Sequence, residues 1–186
     1  FIAVSGGRSV LIDALHDEKV PPFDTLSPEL TERVFGILRA SPPLAGIATH
    51  RHPDHYSERL VRRALTLWPD CELLAPEDFD EENSSLSLPG LEVSAVKTKH
   101  DGEQFSGVEH MCCRITLDGF TILAPGDTAP GERERLLPLV SGRRIDAALL
   151  NFPWVTLRAP REFVRSVLRP RCAVIAHLPR EREDDY

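Results

Sequence analysis

Three histidines and one aspartate fall within six consecutive residues of this chain. His50, His52, Asp54 and His55 form the run His-Arg-His-Pro-Asp-His. Imidazole nitrogens and carboxylate oxygens are the ligands that Zn²⁺ and similar divalent ions prefer in proteins. Pro53 lies inside the run, and because proline breaks a helix interior, we expect a loop there. The run therefore predicts a metal site on a tight loop, in preference to a polar loop with chance histidines.

Three further candidate ligands each lie just beyond the end of a predicted strand. They are His100, Asp127 and His177. Loops at strand ends are places where a rigid scaffold brings distant side chains together. Taken singly, Asp127 could be a turn residue and His177 a surface residue.

The order of these residues resembles the metallo-β-lactamase superfamily of metal-dependent hydrolases. Its pattern is His-x-His-x-Asp-His, then a lone His, a lone Asp and a last His, and the resemblance extends from Gly6 to His177. It implies an α/β fold (α+β by some schemes), a four-layer αβ/βα sandwich with the metal site at one edge between two mixed sheets. Periodicity alone indicates only α/β or α+β. The pattern is specific for the superfamily and not for a substrate.

The resemblance also implies that seven side chains hold two divalent metal ions. The first ion would be held by His50, His52 and His100. The second would be held by Asp54, His55 and His177, and Asp127 would bridge the two. Zinc is expected, with manganese or iron as alternatives, because sequence does not separate these metals.

A mechanism follows from such a pair of ions. A hydroxide bridging the metals would attack the substrate, and Asp54, as the catalytic residue, would orient it or accept its proton. Asp13 ends an early predicted strand and matches an acidic residue that orients a metal-bound histidine in this superfamily. Asp13 could instead be a simple turn residue.

His110 competes with His100 for the third ligand position. It falls inside a strand predicted over 108–117, whereas the ligand of the superfamily lies in a loop after a strand. His100 is therefore preferred, and His110 becomes a half-buried strand residue or a neighbour of the ligands.

Two segments could contact a substrate. Asn151-Phe152-Pro153-Trp154 follows a strand predicted over Ile145–Leu150, so its aromatic rings could wall a pocket or anchor a loop in the core. Arg180 follows His177 closely and could bind carboxylate or phosphate, or be a surface residue of a charged tail.

Length and composition indicate an ordinary globular protein. The 186 residues suit one metallo-β-lactamase-like domain over 1–186. Phe1 is not an initiator methionine, so we expect the N-terminal part to be incomplete. The net charge of −7 argues against nucleic acid as a partner. No apolar run approaches a bilayer span of about 20 residues, so we expect a small-molecule substrate and no membrane, with the oligomeric state left open.

The four cysteines are Cys71, Cys112, Cys113 and Cys172, and they include no Cys-x-x-Cys pair. Cys112 and Cys113 are adjacent in a predicted strand and should face opposite sides of its sheet. This usage predicts reduced, buried thiols in a cytoplasmic protein. A cysteine metal ligand is the less favoured alternative.

Turn and cap residues predict the elements that position these groups. Gly6-Gly7 and Asp118-Gly119 are expected to close two hairpins. Ser27-Pro28 should begin a helix that runs to about Arg39, and Ser57 should cap the next helix. The apolar face of the first helix is expected to comprise Leu30, Val34, Ile37 and Leu38. Later predictions are a surface loop or helical turn over 78–87, helices over 132–140 and 160–168, and a last strand over 172–176.

These features favour a dinuclear metallohydrolase acting on a small ester, lactone or phosphoester. The compact size is similar to small hydrolases that resemble ascorbate-phosphate lactonase, and it does not favour RNA-processing branches with large insertions. The alternatives are a phosphodiesterase or nuclease, a non-catalytic metal-binding scaffold, and an iron-dependent oxidative enzyme.

Overall fold

The computed structural model describes residues 1–21 and 25–178. Arg180 lies outside these residues. The described chain divides into two compact units, residues 1–75 and residues 76–178. It contains ten strands and five α-helices, with one sheet of four strands and one of six. The predicted mixed α/β class is confirmed.

The sheet of the first unit has the strand order β1-β2-β3-β4. Its strands are β1 (Ile2–Ser5), β2 (Arg8–Ile12), β3 (Pro43–Ile47) and β4 (Glu72–Leu74). β1 and β2 are antiparallel, and the β2–β3 and β3–β4 pairs are parallel. Gly6 and Gly7 join β1 to β2 with φ of 55° and 73°, a left-handed conformation that glycine adopts without steric cost. The first predicted hairpin is confirmed.

Two capped helices complete the first unit, α1 (Pro28–Ala40) and α2 (Glu58–Leu67). The Ser27 hydroxyl accepts a hydrogen bond from Leu30 N at 3.2 Å, and the Ser57 hydroxyl accepts one from Leu60 N at 3.3 Å. Each cap satisfies a backbone N–H that has no partner inside its helix. Both predicted helix starts are confirmed, and the histidine run therefore lies between two fixed points, the end of β3 and the cap of α2.

The predicted apolar face of α1 is partly wrong. Leu30 and Ile37 are 47% and 38% exposed, and the buried residues of the helix are Thr31, Phe35 and Leu38. The sequence contains two overlapping apolar stripes at helical spacing, and the stripe with the larger aromatic side chain faces the core. Phe35 packs in a cluster with residues of β2 and α2, which buries more apolar area than Leu30 or Ile37 would.

The sheet of the second unit has the order β10-β9-β8-β7-β6-β5. Its strands are β5 (Asn83–Leu88), β6 (Leu91–Lys97), β7 (Met111–Leu117), β8 (Phe120–Ala124), β9 (Ala147–Asn151) and β10 (Cys172–Ala176). The pairs from β5 to β8 are antiparallel, and the β8–β9 and β9–β10 pairs are parallel. The carboxyl ends of β8, β9 and β10 therefore meet at one edge of the sheet.

The β7–β8 hairpin has the predicted two-residue turn. Leu117 pairs with Phe120, and Asp118 and Gly119 both have positive φ, 47° and 83°. Two successive positive φ angles match the right-handed twist of the flanking strands.

The surface loop or helical turn predicted over 78–87 is wrong in its second half, because β5 begins at Asn83. β5 alternates between exposed and half-buried residues. It pairs only with β6 and lies at the edge of the sheet, where a serine-rich, polar strand is tolerated. The polar composition of this segment therefore obscured its alternation of exposed and half-buried residues, which has the period of two expected of a strand.

The helices of the second unit are short and irregular. The helix predicted over 132–140 is a 3₁₀ helix over Pro130–Leu136 followed by α3 (Leu137–Val140). Pro138 lacks a backbone N–H, so a continuous α-helix is broken there. α4 (Pro153–Thr156) and α5 (Arg158–Phe163) follow β9, and the chain continues as a π-helix over Val164–Leu168.

All four cysteines are free thiols, as predicted. Cys71, Cys112 and Cys113 are buried, and burial raises the pKa of the Cys71 thiol to about 11. Cys172 is exposed because β10 is an edge strand, so the prediction that it is buried is wrong.

Among the described residues, no helix is both long and apolar enough to cross a bilayer.

Candidate functional site

Four of the seven predicted ligands lie together on the loop between β3 and α2. His50 has no exposed surface and His55 is 6% exposed, while His52 and Asp54 are half-buried. The His50 ring lies 4.1 Å from the His55 ring and 4.6 Å from the His52 ring, centroid to centroid. The first unit therefore brings three imidazoles and one carboxylate into a single cluster.

A backbone turn creates this cluster. The carbonyl oxygen of His52 accepts hydrogen bonds from His55 N and Tyr56 N, both at 2.9 Å. The turn folds the second half of the run back over the first, so residues that are neighbours in sequence point to a common place. Pro53, with its fixed φ, lies inside the turn.

Asp13 anchors the loop from the end of β2. Its Oδ1 accepts a hydrogen bond from Thr49 N at 2.8 Å, and its Oδ2 accepts one from Thr49 Oγ1 at 2.7 Å. The same Oδ2 lies 3.0 Å from His55 Nδ1, where the predicted role in orienting a histidine would place it. Burial opposes ionisation of Asp13, but the adjacent His55 ring and the bonds from Thr49 outweigh it and hold the pKa of Asp13 below its ordinary value.

Contacts at Nδ1 orient the rings of His50 and His55. The Thr49 hydroxyl donates its only hydrogen to Asp13, so it accepts from His50 Nδ1, which lies 3.1 Å away. His50 Nε2 then carries a lone pair that can bind a metal. In His55, Nδ1 faces Asp13, and Nε2 lies 4.0 Å from Asp54 Oδ2.

The other three predicted ligands lie together in the second unit. His100 Nε2 is 3.5 Å from Asp127 Oδ2, and His177 Nε2 is 3.6 Å from Asp127 Oδ1. Both distances exceed a normal hydrogen bond, and two ligand atoms around a tetrahedral ion would lie roughly 3.4 Å apart. Each carboxylate oxygen of Asp127 thus faces a different imidazole, a geometry that fits a bridging carboxylate.

Backbone contacts hold His100 against the Asp127 loop. His100 Nδ1 donates to the carbonyl oxygen of Asp101 at 2.6 Å, which makes Nε2 the candidate ligand nitrogen. Asp101 N donates to the carbonyl oxygen of Asp127 at 2.8 Å, and His100 forms an antiparallel bridge with Thr128. The two loops are therefore fixed to each other before any metal binds.

His110 uses both ring nitrogens within the protein. Its Nε2 accepts a hydrogen bond from Asp127 N at 3.0 Å, so its Nδ1 carries the proton and donates to Thr98 Oγ1 at 2.8 Å. This arrangement favours His100 over His110 as the ligand. The predicted strand position of His110 is wrong, because β7 begins only at Met111.

The sequence places Asn151 in a segment that could contact a substrate, and it does not predict the contact of Asn151 with Asp127. Asn151 ends β9 and is buried, and its Nδ2 lies within 3.4 Å of Asp127 Oδ1. Asn151 ends a parallel strand beside the strand that leads to Asp127, and this position was the signal in the sequence that could have indicated the contact.

Trp154 is fully buried, and its Nε1 donates to the carbonyl oxygen of Thr128 at 3.2 Å. Trp154 therefore anchors the loop in the core, and the alternative of a pocket wall is wrong for it.

Three solved structures share this fold. Igni18, a metallo hydrolase from the archaeon Ignicoccus hospitalis, has a TM-score of 0.58 and 19% identity over 95% of this chain and 77% of its own. The metallo-β-lactamase fold protein YhfI from Bacillus subtilis has a TM-score of 0.52 and 15% identity over 81% of this chain. The short form of human tRNase Z has a TM-score of 0.53 and 11% identity over 98% of this chain and 86% of its own.

The protein therefore has the metallo-β-lactamase fold, as the histidine motif implies. The chain spans 61% of the length of YhfI. No protein-family model matches the sequence, and no curated protein matches it. At these identities the likeness concerns the fold, and the chemistry depends on the residues described above.

Proposed function

We propose that this protein is a metal-dependent hydrolase that cleaves an ester, lactone or phosphoester bond in a small molecule. The observation that carries the proposal is the Asp127 carboxylate, which presents one oxygen to His100 and the other to His177. A structural aspartate would instead form short hydrogen bonds to these side chains. The oriented imidazoles of His50 and His55 support the same conclusion from the first unit.

The proposed cofactors are two divalent ions, most simply zinc. Imidazole and carboxylate groups in buried surroundings are the donor set that zinc prefers. His50, His52 and His100 are proposed for one ion and Asp54, His55 and His177 for the other, with Asp127 shared. Bound ions of this kind polarise the scissile group and lower the pKa of water.

The protein's own residues supply positioning and proton transfer. Asp54 is half-buried, so water can reach a carboxylate that neighbours the imidazole cluster. We propose that Asp54 orients the attacking water and accepts its proton. Asp13 and Thr49 hold the imidazoles of the first unit, and His110 holds the Asp127 backbone of the second.

Cleavage of a phosphodiester in RNA is the second candidate. The fold likeness to human tRNase Z, over nearly the whole chain, supports it. The net charge of −7 favours a small molecule instead, because nucleic-acid enzymes usually present a basic surface.

Metal content and a substrate panel test the proposal together. Protein purified without added metal is measured by elemental analysis and then assayed on a lactone, a thioester, a phosphomonoester, a phosphodiester, a β-lactam and a short RNA. We expect zinc and turnover of an ester, lactone or phosphoester. Iron with oxygen-dependent turnover, or bound metal with no turnover of any substrate, would contradict the proposed hydrolase.

A further inference from the structure

Four arginines line one cavity at the amino ends of β9 and β10. Arg143 and Arg144 precede β9, and Arg169 and Arg171 precede β10. The cavity has a volume of about 350 Å³, within the range of small-molecule sites. No acidic residue of the described chain lines it. We name this cavity the arginine pocket.

The arginine pocket is separate from the predicted metal ligands. His177 follows the carboxyl end of β10, whereas the pocket lies at the amino end of the same strand. A strand of five residues is about 16 Å long. The proposal below therefore does not rest on the proposed hydrolase activity.

The positive charge of the pocket is only partly neutralised. Asp146 accepts hydrogen bonds from Arg144 Nε at 2.7 Å and Arg171 Nη1 at 3.4 Å. Arg143 and Arg169 form no ion pair with any described residue. Four guanidinium groups against one carboxylate leave an excess of three positive charges, in a chain whose net charge is −7.

Two further observations describe the surroundings of these arginines. Arg169 has φ of 44° and ψ of 50°, a left-handed conformation that glycine would adopt with less strain. Burial, followed by the charge of Arg143, lowers the pKa of the nearby Arg114 below its ordinary value, against an opposing effect of Glu92. A bound anion would offset the repulsion among these guanidinium groups.

We propose that the arginine pocket binds a small molecule carrying two or more adjacent phosphate groups. Guanidinium groups bind phosphate in a bidentate manner, and the segments that lead into β9 and β10 each contribute two of them to the cavity. The remaining wall includes Val140, Val167 and Leu168, which can accommodate an apolar portion of the same molecule. The limited volume favours a small molecule over a nucleic-acid strand.

Calorimetric titration with inorganic pyrophosphate tests the proposal on the purified full chain. The informative variants are Arg143→Gln and Arg169→Gly, and Arg161→Gln is the matched control, an exposed arginine of α5 outside the pocket. We expect each pocket variant to weaken binding by about tenfold or more, the loss of a charge-assisted hydrogen bond, and the control to bind as the unchanged protein does. Arg169→Gly also relieves the backbone strain, so its melting temperature should stay the same or rise.

Several results would overturn this inference. Pyrophosphate also binds metal ions, so binding that both pocket variants retain would place it elsewhere. Absence of pyrophosphate binding would contradict the proposal directly. Equal affinity for citrate would show a general anion pocket, and tighter, arginine-dependent binding of a short single-stranded RNA would show a nucleic-acid surface.

Discussion

At the scale of single residues, the distinguishing property of the histidines is that their ring orientation is determined before a metal arrives. Thr49 fixes His50, Asp13 faces His55, and the Asp101 carbonyl fixes His100. In each case Nδ1 is directed at the protein, and Nε2 is the candidate ligand atom. Groups beyond the ligands that hold an imidazole in this way tune metal affinity and geometry.

Asp54→Asn should abolish most activity while preserving the fold. The amide removes both a negative charge and the proposed proton acceptor, so we expect turnover to fall by about two to four orders of magnitude. Asp54 is half-buried and lies on a loop, so the melting temperature should change little. Steady-state kinetics and thermal melting measure the two effects. Asp70→Asn, at an exposed position of the same unit, is the control, and unchanged turnover in the Asp54→Asn variant would contradict the mechanism.

His100 and His110 should respond differently to substitution. We expect His100→Ala to lower metal content and abolish turnover. His110→Ala leaves the buried Asp127 N–H without its acceptor, so it should destabilise the protein by about 1–3 kcal/mol and lower turnover less than His100→Ala does. Elemental analysis and urea unfolding separate these outcomes.

A conservative replacement tests whether His110 acts by positioning Asp127. The side-chain oxygen of His110→Gln can accept the hydrogen bond from Asp127 N, so this variant should recover part of the stability and turnover lost in His110→Ala. If His110→Ala loses metal while His100→Ala retains it, the two roles are reversed.

At the scale of elements, the features that depend on a few neighbouring residues were predicted correctly. The features that depend on packing between distant parts of the chain were not. Ser27, Ser57 and Asp118-Gly119 each act within a few residues, and the structure confirms all three. The buried face of α1 and the identity of β5 depend on which neighbours pack against them, and the local pattern of residues does not show those neighbours.

The same division applies to the candidate ligands. The run from His50 to His55 is local and could be recognised directly. Asn151 and the bond from Asp127 N to His110 depend on contacts between residues 24 and 17 positions apart. Such contacts depend on strand pairing, which sequence periodicity does not specify.

Asp146 should make the second unit sensitive to acid. The Thr121 N–H at 3.0 Å, followed by the Arg144 guanidinium, holds the pKa of Asp146 below its ordinary value. A carboxyl whose pKa is lowered by folding contributes stability above its unfolded pKa and loses it as the pH falls through the folded pKa.

We therefore expect stability to decline as the pH falls below about 4, the ordinary pKa of an aspartyl side chain, and to decline less steeply in Asp146→Asn. Urea unfolding at a series of pH values measures this slope. Asp80→Asn, at an exposed position of the same unit, should retain the slope of the unchanged protein. Parallel slopes for Asp146→Asn and the unchanged protein would exclude a role of this carboxylate in acid stability.

At the scale of the whole molecule, metal binding and folding should be coupled. A ligand that binds only the folded state stabilises it by an amount that grows with its concentration, about 2.7 kcal/mol at one hundred times Kd. Removal of metal with a chelator should therefore lower the melting temperature, and addition of Zn²⁺ should restore it. His50→Ala serves as the control, because it should reduce the response to both treatments. A melting temperature indifferent to chelator and Zn²⁺ would contradict a metal centre.

The two tryptophans of the chain give each compact unit its own optical reporter. Trp68 stacks on Phe35 in the first unit at 6.0 Å between ring centroids, and Trp154 lies beside Phe163 in the second at 6.2 Å. Trp154 is fully buried, so its emission should shift to longer wavelength when the second unit opens. Trp68→Phe and Trp154→Phe would each leave one fluorophore, and coincident unfolding curves from the pair would show that both halves melt as a single cooperative body.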